Sequence, residues 1–406
     1  YDGGAALQHT IPQHLPGGRT LVMRFDFATV GRILFGVGIV SELPKIASEL
    51  GRRPLVITGR TTARAAPAVN ALEPAKLDAL TFSVEGEPTL DIVRSGAKLA
   101  REQRRDLLIG LGGGSAIDTA KAIAALATNS GEPLDYLEVI GRAQPLENAP
   151  LPFIAVPTTA GTGAEVTRNA VLGSPEHKVK ASLRSPMMLA KVALVDPELT
   201  LDLPAAATAS TGLDALTQLI EAYVSSRANR FTDLFCVEGM QRVKASLVEA
   251  FNNGAKRSAR ESMSFASLLS GLALANAGLG VVHGFAAPLG GMLNAPHGAL
   301  CAAVLPQGVL VNVQALHDRA PSHEGLRRYS QAARILTGNQ QADAADLSRW
   351  LSDLVLQLNI PPLRHHGLTG VQIPALIERV ATASSTKSNP IPLTREELTE
   401  IAERAL

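Results

Sequence analysis

Apolar residues follow two different rhythms along the chain. In the first half they come as short unbroken runs: Pro54–Gly59 (PLVITG), Leu80–Val84 (LTFSV), Asp106–Gly112 (DLLIGLG), Phe153–Thr159 (FIAVPTT) and Lys191–Pro197 (KVALVDP). As a set they lack sustained polar alternation, the pattern of strands in a parallel sheet covered on both faces. Between them, stretches such as GIVSELPKIASELG and LDIVRSGAKLAREQ place apolar residues every three or four positions, the period of an amphipathic helix. Strand and helix in alternation predict a doubly wound α/β domain. After about Pro197 the strand signal fades, and helical periodicity runs from LPAAATASTGLDALTQLIEAY to the C-terminus, broken by Gly/Pro turns. The expected architecture is an α/β domain over residues 1–200 followed by an all-helical domain over 201–406.

The longest apolar run, Phe265–Val282, is interrupted by Ser267, Ser270, Asn276 and three glycines, and leads directly into His283. That composition predicts a buried helix of a soluble core and not a membrane span. With 46% hydrophobic residues and a formal net charge of +1, the chain can bury a large core and offers no charge bias towards nucleic acid or an anionic membrane. The two cysteines, Cys236 and Cys301, lack metal-site spacing and cannot form a disulfide framework, which points to a reducing, cytoplasmic setting. No signal-peptide pattern is visible, and the sequence starts at Tyr1 in place of Met.

Two glycine-rich turns follow strand runs. In LLIGLGGGSAIDTAKAIAAL, Gly112, Gly113 and Gly114 separate a strand from a helix starting near Ser115. Such a turn lets backbone N–H groups approach an anion at a positively polarised helix terminus. No GxxxxGK[ST] is present, so a P-loop is not predicted. A Rossmann fingerprint is incomplete too: Ser115 stands where the third glycine would fall, and Asp135 lies in a loop-like GEPLDYLE stretch. The second turn, Ala155–Thr167 (AVPTTAGTGAEVT), adds the hydroxyls of Thr158, Thr159 and Thr162 beside Gly161 and Gly163. Two such loops at strand ends would converge on the crevice of an open sheet, as a dinucleotide site requires. Further on, TGLDALTQLIEAYV reads as a core helix, yet Asp214 and Gln218 at i and i+4 aim a carboxylate and an amide from one face.

Taken in order, GGGSAIDTAKA, PTTAGTGAEVT, VALVDPELT, GLDALTQLIEAY and GLGVVHGFAAPLGGMLNAPHG resemble the iron-containing (group III) alcohol dehydrogenase family of the dehydroquinate-synthase-like superfamily. The resemblance covers nearly the whole chain, from FGVGIVSELP near residue 35 onwards. It implies an α/β N-terminal dinucleotide-binding domain, an all-α C-terminal domain, a cleft between them, and a homo-oligomer, in this family a homodimer. It implies that Gly112, Gly113, Gly114 and Ser115 hold the pyrophosphate, with Asp118 one turn into the helix. Thr158, Thr159 and Thr162 would contact phosphate, ribose or nicotinamide, and Lys180 of HKVKASL would reach the ribose. Where strict NAD users of the family carry an Asp after the first strand, this chain has Gly59, with Arg60 and Arg64 close by. A carboxylate would repel a 2′-phosphate, whereas glycine beside guanidinium groups admits one, so NADP(H) or dual use of NAD(P)(H) is expected.

The family holds a divalent metal with an Asp, a His one turn later and two further His. Asp214, His283 and His297 match, while Gln218 replaces the second ligand and Ala287 replaces a further family histidine. An amide oxygen is a weaker donor than an imidazole for Fe2+ or Zn2+. The reading favoured is a metal held by Asp214, His283 and His297 with Gln218 or water. Weak binding and a metal-free site, as in the maleylacetate reductases, are the alternatives, although their HHKxCH-like segment is absent. The implied activity is interconversion of an alcohol with an aldehyde or ketone, the metal polarising the substrate oxygen. Without metal, His283 or His297 would have to donate the proton. A dehydroquinate-synthase-type lyase would need a strongly basic pocket that the helical half does not offer, and a nucleotide sensor would need no turnover. The apolar HGFAAPLGG lining predicts a small substrate without multiple charges, and His365–His366 reads as a solvated pair.

Overall fold

The computed structural model describes residues 24–406 apart from 61, 178 and 294; the side chains of 62–65 and 67 are also outside the described set, so the expectations for Tyr1 and for the Arg64 guanidinium fall beyond it. The N-terminal half runs β1 (Arg32–Phe35), α1 (Leu43–Leu50), β2 (Pro54–Gly59), α2 (Thr62–Leu72), β3 (Leu80–Val84), α3 (Leu90–Glu102), β4 (Leu107–Gly112), α4 (Gly114–Thr128) and β5 (Phe153–Pro157). A hairpin of β6 (Asn169–Ser174) and β7 (Val179–Arg184) follows, then β8 (Val192–Val195). Six strands form a parallel sheet in the order β1-β8-β5-β4-β2-β3, and β6–β7 is a separate antiparallel ribbon.

Period-two geometry explains why β2, β4 and β5 show no polar alternation, whereas LTFSV of the edge strand β3 alternates, with Thr81 and Ser83 exposed. Leu55, Ile57, Leu108, Phe153 and Ala155 pack with Val93 and Ala97 of α3 and Ile117, Ala120 and Ile123 of α4. The intervening Val56, Leu107, Ile109, Leu111, Ile154 and Val156 pack on the other face with Leu43 and Ile46 of α1 and Ala68 and Leu72 of α2. Both faces are therefore apolar, and the five expected strands are all present. The edge strand β1, RILF, goes beyond that expectation, since four residues with no fully buried member carry too little pattern to read.

Chain order sets the binding crevice. From β2 the chain moves outwards to β3 and then returns to β4 on the other side, so strand order reverses between β2 and β4. Their carboxyl ends are Gly59 and Gly112. The general rule for open α/β sheets places a ligand at that reversal.

The second half is helical throughout its described residues: α5 (Ala205–Val224), α6 (Arg230–Asn252), α7 (Arg257–Ala277), α8 (Val281–Met292), α9 (His297–Arg319), α10 (Glu324–Thr337), α11 (Ala344–Gln357), α12 (Ile373–Thr382) and α13 (Arg395–Ala405), with short 3-10 turns between. The apolar run around residue 270 is two helices. At Gly278, φ +74°, the chain leaves α7 and re-enters as α8 at an angle of 100°. α9 is long and apolar enough to cross a membrane, but 72% of that stretch is buried inside the protein, as a core helix requires. The two halves meet at the second glycine turn. Gly163 lies against Gly271 of α7, and Gly161 against Thr211 of α5, so closely that a Cβ on either would stand 2.3 Å and 2.5 Å from its neighbour.

Candidate active site

The first part of the site is the pair of glycine turns. Gly113 caps α4 and Gly114 opens it, leaving the amide end of the helix facing the crevice. A Cβ on Gly113 would meet Thr159 at 3.2 Å, and one on Gly114 would meet Thr162 at 2.9 Å. Thr158 N–H donates to Gly112 O at 2.9 Å. The structure thus brings Gly112, Gly113, Gly114, Ser115, Thr158, Thr159 and Thr162 together, with Gly59 across from Gly112. Among the described residues, none beyond its chain neighbours comes within 4 Å of where a Gly59 Cβ would be, and Arg60 beside it is exposed. Burial pushes the Glu165 carboxyl of the second turn up to about 7, so near neutral pH it is only partly ionised.

Asp118 and Lys180 each have a protein partner. The Asp118 carboxylate accepts from Val171 N–H at 3.0 Å and from Lys121 Nζ at 3.3 Å, tying α4 to β6. Lys121, fully buried, also donates to Thr167 Oγ1 at 2.8 Å and Asn169 O at 2.9 Å. Burial pushes Asp118 up and Lys121 down, and each partially offsets the other's shift. Lys180 pairs with Glu87 at 3.1 Å and lies against Gly290 of α8, so its buried ammonium is matched by a carboxylate.

The second part of the site lies in the helical half. α5 carries Asp214, Gln218 and Glu221 at i, i+4 and i+7, one stripe of an otherwise apolar core helix. His283 sits in the first turn of α8 because Gly278 and Gly280 allow the chain to bend there. His297 opens α9 after Pro296, whose fixed φ suits a helix start. These three helices bring Asp214, His283, His297 and Cys301 together, with one donor atom from each inside a sphere of 4.8 Å separations. Glu221 Oε2 accepts from His283 Nδ1 at 2.7 Å while Oε1 takes the Val282 amide at 2.6 Å. With Nδ1 as donor, the Nε2 lone pair is turned towards Asp214 Oδ1, 3.5 Å away.

Two lone pairs facing each other in a buried pocket repel unless a cation or proton lies between them. Among the described residues neither Asp214 Oδ1 nor His283 Nε2 has a hydrogen-bond partner, and their residues are 1% and 6% exposed. Orphaned polar atoms of this kind cost free energy, and here they are the observation that fits a metal ion. Burial alone would raise Asp214, but His283 and His297 hold its carboxyl below the usual range. Burial opposes protonation of His283, yet Cys301, Asp214 and Glu221 outweigh it and lift the imidazole well above its ordinary value. Burial likewise opposes protonation of His297, which Cys301 and Asp214 raise; the two imidazoles lower the Cys301 thiol against the effect of burial. The pocket is therefore built around negative donors that call for positive charge.

The amide of Gln218 is engaged outside this cluster. Its Oε1 accepts from Ser270 Oγ at 2.7 Å and its Nε2 lies 3.4 Å from Thr162 O. Cys301, Glu221 and Ser270 enter the site only with the structure. Cys301 has a signal in the sequence, since HGALC sets it at i+4 from His297 on one helix face; testing the cysteines only for spacing against each other hides it. His365 and His366 form a short turn, exposed and half-buried, with rings 5.7 Å apart.

Comparison with known proteins agrees with this geometry. Residues 31–197 match the iron-containing alcohol dehydrogenase model, and residues 208–406 match the C-terminal model of the Fe-containing alcohol dehydrogenase family. Alcohol dehydrogenase 4 of Saccharomyces cerevisiae is 36% identical over 328 residues, 80% of this chain and 83% of its own. A 1,3-propanediol oxidoreductase structure superposes with a TM-score of 0.87 at 32% identity, covering 95% of this chain and all of its own. A sulfoacetaldehyde reductase from Bifidobacterium kashiwanohense in complex with NAD+ gives a TM-score of 0.83 at 28% identity, covering 94% and 98%. Having the parallel sheet, the helical half and the donor cluster within that half, the chain belongs to the iron-containing alcohol dehydrogenase family.

Proposed function

We propose that this alcohol dehydrogenase reduces a small, weakly charged aldehyde or ketone, or oxidises the matching alcohol, with NADP(H) preferred to NAD(H). Asp214, His283 and His297 would hold a divalent metal. The observation that carries the reading is the orphaned pair, Asp214 Oδ1 and His283 Nε2, buried and turned towards each other. A metal there supplies Lewis-acid polarisation of the substrate oxygen, and the nicotinamide supplies or accepts the hydride.

The chain's own residues set up that chemistry. Glu221 accepts from His283 Nδ1, so Nε2 is the ring nitrogen that would face a metal. Gly112, Gly113 and Gly114 leave room for phosphate against the α4 amides, and Thr159 and Thr162 flank them. Ala287, one turn after His283 on α8 and half-buried, is small and apolar, which supports a small substrate without multiple charges. NADPH oxidation with a panel of uncharged aldehydes, before and after chelation, tests the reading. Turnover should fall with metal content and return with added metal; full activity in verified metal-free protein would contradict it.

The nucleotide preference has its own test. The open space at Gly59 accommodates a carboxylate without a clash, so Gly59→Asp should fold normally. Its charge should move the NADH/NADPH ratio of kcat/KM towards NADH by about 10–100-fold. That is the worth of one charge-assisted hydrogen bond to the ribose together with repulsion of the 2′-phosphate. An unchanged ratio would show that the 2′ position of the ribose lies elsewhere.

A further inference from the structure

We propose that Cys301 is the fourth metal ligand of this chain, completing an Asp214–His283–His297–Cys301 set, and that Gln218 stands outside it as a brace. The inference rests on the metal reading above and adds a thiolate to it. Cys301 is fully buried, which by itself describes many cysteines. What sets it apart is company: its sulfur lies 3.6 Å from His297 Nε2, in the same space towards which the two partnerless atoms of Asp214 and His283 are turned.

Geometry decides between a packing thiol and a ligand. Metal bonds of about 2.0–2.3 Å in a tetrahedral site separate neighbouring donors by roughly 3.3–3.8 Å. The separations here are 3.5 Å for Asp214–His283, 3.6 Å for His297–Cys301 and 3.9 Å for Asp214–His297. Two of these fall inside that range and the third just above it, and all four donor atoms lie within 4.8 Å of one another, close enough to gather on one cation. His297 and Cys301 are one turn apart on α9, so a single helix face delivers a nitrogen and a sulfur to one ion.

Gln218 has a different occupation. Its oxygen accepts the Ser270 hydroxyl of α7 and its nitrogen faces the Thr162 carbonyl of the nucleotide turn. It joins α5, α7 and the phosphate loop, and a glutamine suits that task because it both accepts and donates.

A thiolate in place of an imidazole changes the ion. Soft sulfur favours Zn2+ over Fe2+, and two anionic ligands bring a divalent site to neutrality. Substrate oxygen would then enter as a fifth donor, an expansion that zinc tolerates.

Cobalt provides the test, since Co2+ bound to a thiolate shows a sulfur-to-metal charge-transfer band in the near ultraviolet that oxygen and nitrogen ligands do not give. Metal-stripped protein is titrated with Co2+ and then with competing Zn2+, and bound metal is measured by elemental analysis. Wild type should take up stoichiometric cobalt and show the band. Cys301→Ser and Cys301→Ala should lose it and bind Zn2+ at least about tenfold more weakly. Gln218→Ala should keep both band and stoichiometry. Stoichiometric cobalt without the band in wild type, or a band that survives in Cys301→Ala, overturns the ligand assignment and leaves the Asp214–His283–His297 site standing. Failure of wild type to bind any metal overturns both. Circular dichroism confirms that each variant is folded.

Discussion

Asp214→Asn is expected to lower kcat/KM for aldehyde reduction by about 10²–10³-fold, the effect of losing several kcal/mol of charge stabilisation at the substrate oxygen. The substitution is nearly isosteric and the residue is only 1% exposed, so the fold has no reason to rearrange. What changes is the donor set. An amide offers a neutral oxygen or an NH2, and the pocket loses the carboxylate that draws both imidazoles inwards at 3.5 Å and 3.9 Å. Metal occupancy should fall with activity. A second readout separates this from simple damage to the nucleotide site: ligands that bind only the folded state raise Tm. Added Zn2+ should therefore raise the Tm of metal-stripped wild type and leave that of Asp214→Asn where it was. An Asp214→Asn variant with full occupancy and full rate would place the metal, and the reaction, away from this carboxylate.

How far this site is legible in the sequence depends on how its residues reach it. The glycine turns are readable because each follows one apolar strand run and is made of consecutive residues, Gly112–Gly114 and Thr158–Gly163. Sheet geometry then brings them together without further information. The donors are different. Asp214, His283 and His297 come from three helices, and no spacing rule joins them; the family resemblance supplies that connection. The resemblance also puts position 218 among the ligands, whereas in the structure a side chain on a distant helix, Ser270, engages the Gln218 oxygen. The partner of Lys180 is hidden for a similar reason, since Glu87 lies on the loop before α3 and only the fold brings it within 3.1 Å. Local pattern announces backbone-built sites; side-chain allegiance is decided by tertiary neighbours.

Gly163→Ala should destabilise the protein by about 2–5 kcal/mol, since two costs add. Gly163 has φ +60°, a left-handed conformation that costs an alanine roughly 1–2 kcal/mol. The new Cβ would also stand 2.3 Å from Gly271 Cα and 2.6 Å from its amide nitrogen. Those are backbone atoms of α7, so no rotamer change relieves the clash, and overpacking of this kind costs about 1–3 kcal/mol or more. Relief requires the nucleotide turn to move away from the helical half, and Thr162 is the adjacent residue. The KM for NADPH should rise as well, since Thr162 is held against Gly114 on the phosphate side. Gly370→Ala is the control: its Cβ would meet nothing within 4 Å and its φ is ordinary, so its stability should lie within about 0.5 kcal/mol of wild type. Urea unfolding of the three proteins measures both effects. If Gly163→Ala unfolds at the same midpoint as Gly370→Ala, the turn is not wedged against α7, and the close apposition of nucleotide and metal sites loses its structural basis.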